Sequence, residues 1–365
     1  MSDPPPEHDI LEGLGLVIIG RNEGDRLRRC LESVAGRVLL VYVDSGSTDD
    51  SVELARTLGA EVVELDRSRP FSAARARNTG FDRLRDLVPG LRYVQFVDGD
   101  CEIIEGWIER AVEVLEARPE VAVVCGRRRE RFPDQSIYNR LADIEWDTPI
   151  GEADSCGGDA LMRAEAFEAV GGFDPSVPAG EEPELCRRLR LAGGKVLRIE
   201  AEMTRHDIAT TRFRQWWRRQ FRSGYNGLDV VTRFAREPGG PFRKQVRSAR
   251  LWTLGWLGAL FALATAGAWL GGPAVGLAIA GFVALALPAQ ALRLALRIRP
   301  KAGSTRSAIG YGVLTLVGKW GELAGQLAYL RDRISGRHAR LIEYKPAVEA
   351  WQDPGPLAAE RSGVA

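Results

Sequence analysis

The run Tyr93-Val94-Gln95-Phe96-Val97-Asp98-Gly99-Asp100 is apolar and strand-forming until it ends in two carboxylates separated by one glycine. Such a pair at the carboxyl edge of a buried strand sits where open α/β folds hold their ligands. Its oxygens are hard and charged, which suits Mg²⁺ or Mn²⁺, ions that commonly reach a protein site together with a phosphate. A D-x-D triplet arises by chance about once in a chain of this length, so its surroundings decide its weight.

Two further strand ends carry polar clusters. Leu16-Val17-Ile18-Ile19 leads into Arg21-Asn22-Glu23, and Val38 to Val43 leads into Asp44-Ser45-Gly46-Ser47-Thr48-Asp49. In a parallel sheet all three ends converge on one rim. Asp44 could accept from a nucleobase N–H or a ribose hydroxyl, and Gly46 permits close backbone approach. The same residues also suit an ordinary turn feeding a helix cap.

The elements between these ends alternate. Leu27, Cys30, Leu31 and Val34 share one helix face, and Asp49 and Asp50 suit the cap of a helix carrying Val52, Ala55 and Leu58. A strand from Glu61 to Leu65 and an alanine-rich helix from Ser72 to Leu84 follow. Strands alternating with helices predict an α/β fold: a Rossmann-like, mostly parallel sheet with helices on both faces. The first strand–helix turn, Gly20-Arg21-Asn22-Glu23-Gly24, lacks G-x-G-x-x-G, which argues against a dinucleotide oxidoreductase. The Walker pattern is missing too.

In order along the chain, Val17-Ile18-Ile19-Gly20-Arg21-Asn22-Glu23, Val43-Asp44-Ser45-Gly46-Ser47-Thr48-Asp49, Ala76-Arg77-Asn78-Thr79-Gly80 and Val97-Asp98-Gly99-Asp100 resemble the donor-site motifs of glycosyltransferase family 2. Cys156-Gly157-Gly158-Asp159-Ala160-Leu161-Met162-Arg163, Val170-Gly171-Gly172-Phe173-Asp174 and Gly180-Glu181-Glu182-Pro183-Glu184-Leu185 continue the resemblance, which covers roughly 14–210. It implies the GT-A fold, a nucleotide-sugar donor (a UDP-sugar is favoured), Mg²⁺ or Mn²⁺, and inversion at the anomeric carbon. It places Arg21, Asn22, Glu23, Asp44, Ser45, Gly46 and Ser47 around the nucleotide, with Arg77 approaching the diphosphate. Asp98 would face the ribose beside Gly99 and share the metal with Asp100, and His206 would be a third metal ligand. Gly157, Gly158 and Asp159 would border the acceptor.

An inverting transfer needs a carboxylate to take the acceptor hydroxyl's proton. The family uses the aspartate of a Glu-Asp pair at a helix start. This chain has Glu181-Glu182, so the resemblance makes Glu182 the base, one methylene longer than usual, with Glu181 or Glu184 able to contribute. Misplacement by about 1 Å matters in catalysis. Pro183 and acids here are also what any helix N-terminus favours.

The remaining chain bounds the setting. Lys+Arg of 50 against Asp+Glu of 49 gives no basic field for nucleic acid. Five scattered cysteines (Cys30, Cys101, Cys125, Cys156, Cys186) without C-x-x-C pairing fit a reducing compartment. Residues 1–13 read as a disordered leader without signal-peptide regions, and 346–365 as a disordered tail. Leu251 through Leu292 carries no charge, with Arg247 and Arg250 before it and Arg293 and Arg297 after it. That predicts two transmembrane helices over 251–295, split near Gly271-Gly272-Pro273, with both ends cytoplasmic at an inner or plasma membrane. The 211–250 stretch, with Trp216 and Trp217 among arginines, predicts amphipathic interfacial helices that could gate an acceptor. Apolar 309–330, within the 305–345 segment, reads as an interfacial or re-entrant helix or a third span.

The expectation is a membrane-anchored, metal-assisted glycosyltransferase acting on a lipid-linked or membrane-proximal acceptor. Its rivals are a sugar-nucleotide nucleotidylyltransferase and a catalytically silent membrane scaffold that retains donor binding.

Overall fold

The computed structural model describes residues 12–236 and 239–336. Almost all of the expected leader, the 346–365 tail and the end of the 305–345 segment lie outside the described residues.

The first half follows the alternation in the sequence. Strands β1 (Leu14–Gly20), β2 (Leu39–Asp44), β3 (Glu61–Glu64) and β4 (Tyr93–Asp98) are parallel neighbours in the order β3-β2-β1-β4. They are joined by helices α1 (Asp25–Glu32), α2 (Ser51–Thr57) and α3 (Ala73–Leu87). Ser72 caps α3 by accepting from Arg75 N, as its residue type favours. At α2 the capping bond comes from Asp49, which accepts from Ser51 N at 3.1 Å, while Asp50 makes no side-chain cap. Gly80 lets α3 lie close on the sheet, because a Cβ there would fall 2.4 Å from Val17 Cγ1.

Beyond Asp98 the crossover rhythm stops. The chain runs through β5 (Cys101–Ile103), α4 (Trp107–Ala117), β6 (Val121–Glu130), α5 (Ile137–Glu145), β7 (Gly151–Glu152), β8 (Ala160–Arg163), α6 (Ala164–Ala169), α7 (Glu181–Leu191) and β9 (Lys195–His206). The whole sheet reads β3-β2-β1-β4-β8-β6-β9-β5, with β7 also on β9. β8 is antiparallel to β4 and β6, and β5 and β7 are antiparallel to β9; only β6 and β9 pair in parallel. The parallel expectation therefore holds for the first half, and the second half is mixed. β8 lies between β4 and β6 and runs against both, which ends the parallel order after β4.

After β9 the chain is helical: α8 (Phe213–Arg233), α9 (Arg243–Arg250), a π-helical turn (Leu251–Gly255), α10 (Trp256–Gly271), α11 (Pro273–Ala284), α12 (Ala286–Ile298) and α13 (Thr305–Ile334). Two rods result, Arg243–Gly271 and Pro273–Ile298, which among the described residues are the helices long and apolar enough to cross a membrane. Gly272 at φ 86° and Pro273 separate them, near the expected split. Their apolar side chains face outward: Phe261, Trp269 and Phe282 are 76%, 84% and 78% exposed.

The flanking helices pack on one another. α8 is not a helix lying with an unpartnered apolar face, because α13 covers it. Gly224 and Gly325 bring the two backbones together: a Cβ on Gly224 would fall 1.9 Å from Glu322 O, and one on Gly325 would fall 2.0 Å from Phe221 O. α13 buries Glu322, Gln326 and Asp332, with Lys319 paired to Glu322 at 3.0 Å and Tyr225 donating to Asp332 at 3.2 Å. The Tyr225–Asp332 bond crosses to α8, and Arg250 of α9 donates to Gln326 Oε1 at 2.9 Å, so 309–330 packs on both helices. Gly325→Ala should overpack this contact, costing about 1–3 kcal/mol. Thermal unfolding of the detergent-solubilised chain should show a lowered midpoint, and an unchanged one would contradict the close approach.

Candidate active site

The three polar strand ends do converge. Gly99 N donates to Ile19 O at 2.8 Å and Ser45 N to Gly20 O at 3.0 Å, tying the turns after β4 and β2 to β1. Asn22, at φ 54°, donates its backbone N–H to Ser47 Oγ at 2.9 Å and accepts from Thr48 N at 2.7 Å through its side chain. The first two loops are therefore one hydrogen-bonded unit. Arg21 is exposed there, its guanidinium 5.7 Å from the ring centre of Phe71. Glu23 pairs with Arg26 at 2.9 Å.

Asp44 is placed differently from its expected nucleotide contact. It is buried, and its carboxylate accepts from Gly46 N and Ser47 N at 2.8 Å each, from Tyr42 Oη at 3.1 Å and from the Ser47 hydroxyl. Four donors match the capacity of a carboxylate. Asp44 shapes the turn, and Gly46 follows at φ 80°, where a side chain would be strained.

At the D-x-D turn, Arg77 is the hub. Its guanidinium is 2% exposed and bonds Asp98 Oδ1 and Glu181 Oε1, each at 2.6 Å. Burial opposes its charge, but the two carboxylates outweigh that and hold it firmly protonated. One side chain on α3 thus ties the end of β4 to the first turn of α7. Asp159 supports the same turn: it accepts from Asp98 N at 3.2 Å and Thr204 Oγ1 at 2.8 Å, and pairs with Arg128 at 2.7 Å. Gly158, at φ 94°, lies beneath both arginines, where a Cβ would be 3.3 Å from Arg128 Nη2 and 3.6 Å from Arg77 Nη2.

Asp100 faces His206, with Nε2 and Oδ2 3.0 Å apart and both residues buried. The antiparallel register of β5 on β9, Cys101 opposite His206, brings them together. Burial, with Arg128 adding, pulls the His206 pKa down to about 4, so its imidazole is neutral at ordinary pH. Burial also holds the adjacent Cys101 thiol protonated. A carboxylate oxygen beside a neutral imidazole, with no thiolate, is a donor set that fits a divalent transition ion such as Mn²⁺ better than all-oxygen Mg²⁺.

Several expected site residues lie elsewhere. Glu182 does not face the rim: it turns inward, accepting from Cys156 N and from Cys186 Sγ at 3.1 Å. The glutamate directed at the D-x-D turn is Glu181. Asp159 is fully buried beneath the turn, so it supports the site rather than meeting an acceptor, while Gly157 is exposed. Trp216 is buried and stacks on Tyr138, with ring centres 5.7 Å apart, so it packs α8 instead of gating a substrate. Trp217 is half-buried, beside Phe213. Arg128 was missed; its place in the run Arg127-Arg128-Arg129, ending an apolar strand, was the available signal.

Residues 16–171 match the family described as Glycosyl transferase family 2. That match runs from β1 through α6. It is 30% identical over 187 residues to the succinoglycan biosynthesis protein ExoA of Rhizobium meliloti, covering 47% of this chain and 54% of that protein. It is 26% identical over 242 residues to the pre-mycofactocin glycosyltransferase of Mycobacterium tuberculosis, covering 63% of this chain and 50% of the relative. The chain thus spans about half the length of these relatives. A mannosyltransferase from Pyrobaculum calidifontis, solved with GDP-Man and Mn²⁺, shares the fold at a TM-score of 0.54 and 16% identity, over 88% of this chain and 87% of its own. The architecture is that of a GT-A domain.

Two outcomes follow from the geometry. Arg77→Ala leaves two carboxylates facing each other without their buried cation, and should cost about 3 kcal/mol in denaturant unfolding; unchanged stability would show that the clasp does not form. His206 resists protonation in the fold, so the metal-free protein should keep this contribution above pH 6.5 and lose it as pH falls toward about 4. His206→Gln should flatten the stability–pH curve across that window.

Proposed function

We propose that this chain is an inverting glycosyltransferase that moves a sugar from a nucleotide donor, a UDP-sugar being favoured, to a lipid-linked or membrane-proximal acceptor. The observation that carries this reading is the Arg77 clasp, which sets the D-x-D turn against a carboxylate at the start of α7. Around it, Arg21, Asn22, Glu23, Ser45 and Ser47 form the nucleotide side of the rim, with Asp44 holding the turn.

Asp100 and His206 would hold Mg²⁺ or Mn²⁺, which when bound stabilises the negative charge of a leaving diphosphate. Arg77 gains a competing anion when that diphosphate arrives. Transferring part of its pairing from Glu181 to the phosphate frees a Glu181 oxygen to accept a proton. Glu181 then takes the acceptor hydroxyl's proton as that oxygen attacks the anomeric carbon and the nucleoside diphosphate departs. Glu181 replaces Glu182 as base in this proposal because of the direction in which each side chain points.

The apolar hairpin supports membrane anchoring. Exposed Phe261, Trp269 and Phe282 carry a large cost in water and none in lipid. The rods begin and end among Arg247, Arg250, Arg293 and Arg297, which favours a cytoplasmic catalytic domain at an inner or plasma membrane.

The test incubates solubilised protein with UDP-, GDP- and dTDP-sugars, Mn²⁺ and a membrane extract, and measures nucleoside diphosphate release and glycolipid. One donor should be consumed; none consumed would favour the silent scaffold. Glu181→Gln should lower turnover at least 100-fold with donor affinity kept within about threefold, on the scale of general-base loss. Turnover surviving in Glu181→Gln but lost in Glu182→Gln would reverse the assignment. Asp100→Asn should abolish metal-dependent donor binding, which calorimetry with and without Mn²⁺ would read.

A further inference from the structure

The glutamate that turns away from the rim meets two cysteines. Cys156, in the loop before β8, and Cys186, one turn along α7 from Glu182, have their sulfurs 3.6 Å apart. Cys186 Sγ lies 3.1 Å from Glu182 Oε1, and one donor atom from each of the three residues falls within 4.8 Å of the others. All three are buried, Cys186 completely.

These spacings discriminate between uses of a thiol pair. A disulfide needs sulfurs about 2.05 Å apart, and these stand well outside that. A tetrahedral ion with Zn–S of about 2.3 Å and Zn–O of about 2.0 Å holds its ligand atoms about 3.5–3.8 Å from each other. The observed S···S distance of 3.6 Å lies within that range, and the S···O distance of 3.1 Å falls about 0.4 Å short of it. Two sulfurs and a carboxylate are also softer than the Asp100–His206 pair, so the two sites select different ions. Cys125 on β6 lies outside this three-residue cluster, so a water would complete a tetrahedral shell.

We propose that Cys156, Glu182 and Cys186 form a structural zinc site, separate from the D-x-D metal site. Binding exchanges two thiol protons for one Zn²⁺, leaving two thiolates and the Glu182 carboxylate around the ion. Because both thiols must lose their protons to bind the ion, zinc affinity rises with pH. The ion would pin the first turn of α7 to the loop that carries Gly157 and Gly158, keeping neighbouring Glu181 turned outward to Arg77. That gives a physical reason for glutamate at position 182: it reaches an inward ligand position while its neighbour serves the rim.

The full chain, purified in detergent without chelators from zinc-supplemented cells, should contain about one zinc per chain by elemental analysis. An organomercurial that titrates thiols should release that zinc in step with thiol loss. Cys156→Ser/Cys186→Ser should drop the content below a tenth, while Cys101→Ser, beside the other metal site, should keep it. Cobalt-loaded wild type should show thiolate-to-cobalt charge-transfer absorption that persists in Cys101→Ser and vanishes in the double variant. The wild-type release measurement stands even if the double variant misfolds. Zinc-free wild type, a Cys156–Cys186 disulfide in its peptide map, or full zinc in the double variant would each overturn the proposal. None of these readouts depends on sugar transfer, so the site can fail while the enzymatic reading stands, or the reverse.

Discussion

A guanidinium removed from water must be surrounded by anions, and that constraint organises this molecule. Arg77 comes from α3, Asp98 from the end of β4, and Glu181 from the start of α7. None of the three is near another in sequence, yet the desolvation of one requires the other two. Meeting that requirement draws α3, the end of β4 and the start of α7 together around one buried charge. The rim is set by electrostatics at its centre, and the strands supply only the starting points.

The parts legible in the sequence were those encoded locally. Strand ends marked by Arg21, Asp44 and Asp98 converged as expected, because parallel order follows from alternating strands and helices. The split near Gly272-Pro273 was legible because a glycine with positive φ and a proline at a helix start are local signals. The placement of His206 beside Asp100 agreed with the motif order, although its cause, the antiparallel register of β5 on β9, cannot be read from spacing.

The parts that escaped were decided by orientation or by partners distant in sequence. Glu181 and Glu182 are adjacent and of one type, and they differ only in which way the first turn of α7 points each Cβ. Asp44 looked like a ligand-binding acid until its four donors were counted. Trp216 and the 309–330 segment looked interfacial because apolar and basic residues mix in both. What they lacked in the sequence was each other: the glycines of α8 and α13 become meaningful only when the two helices lie side by side.

That pairing has a mechanical consequence. α8 precedes the apolar hairpin in the chain and α13 follows it, so the polypeptide leaves the domain and re-enters the same packed unit. An attachment of this kind is a bracket with two bolts, where a single terminal helix would be a leash. In a bilayer it would hold the rim at one height and one tilt, so that an acceptor would have to arrive already projecting its hydroxyl to that level. Distance from the lipid surface would then act as a selectivity filter in its own right, set by how α8 and α13 seat the domain on the two rods.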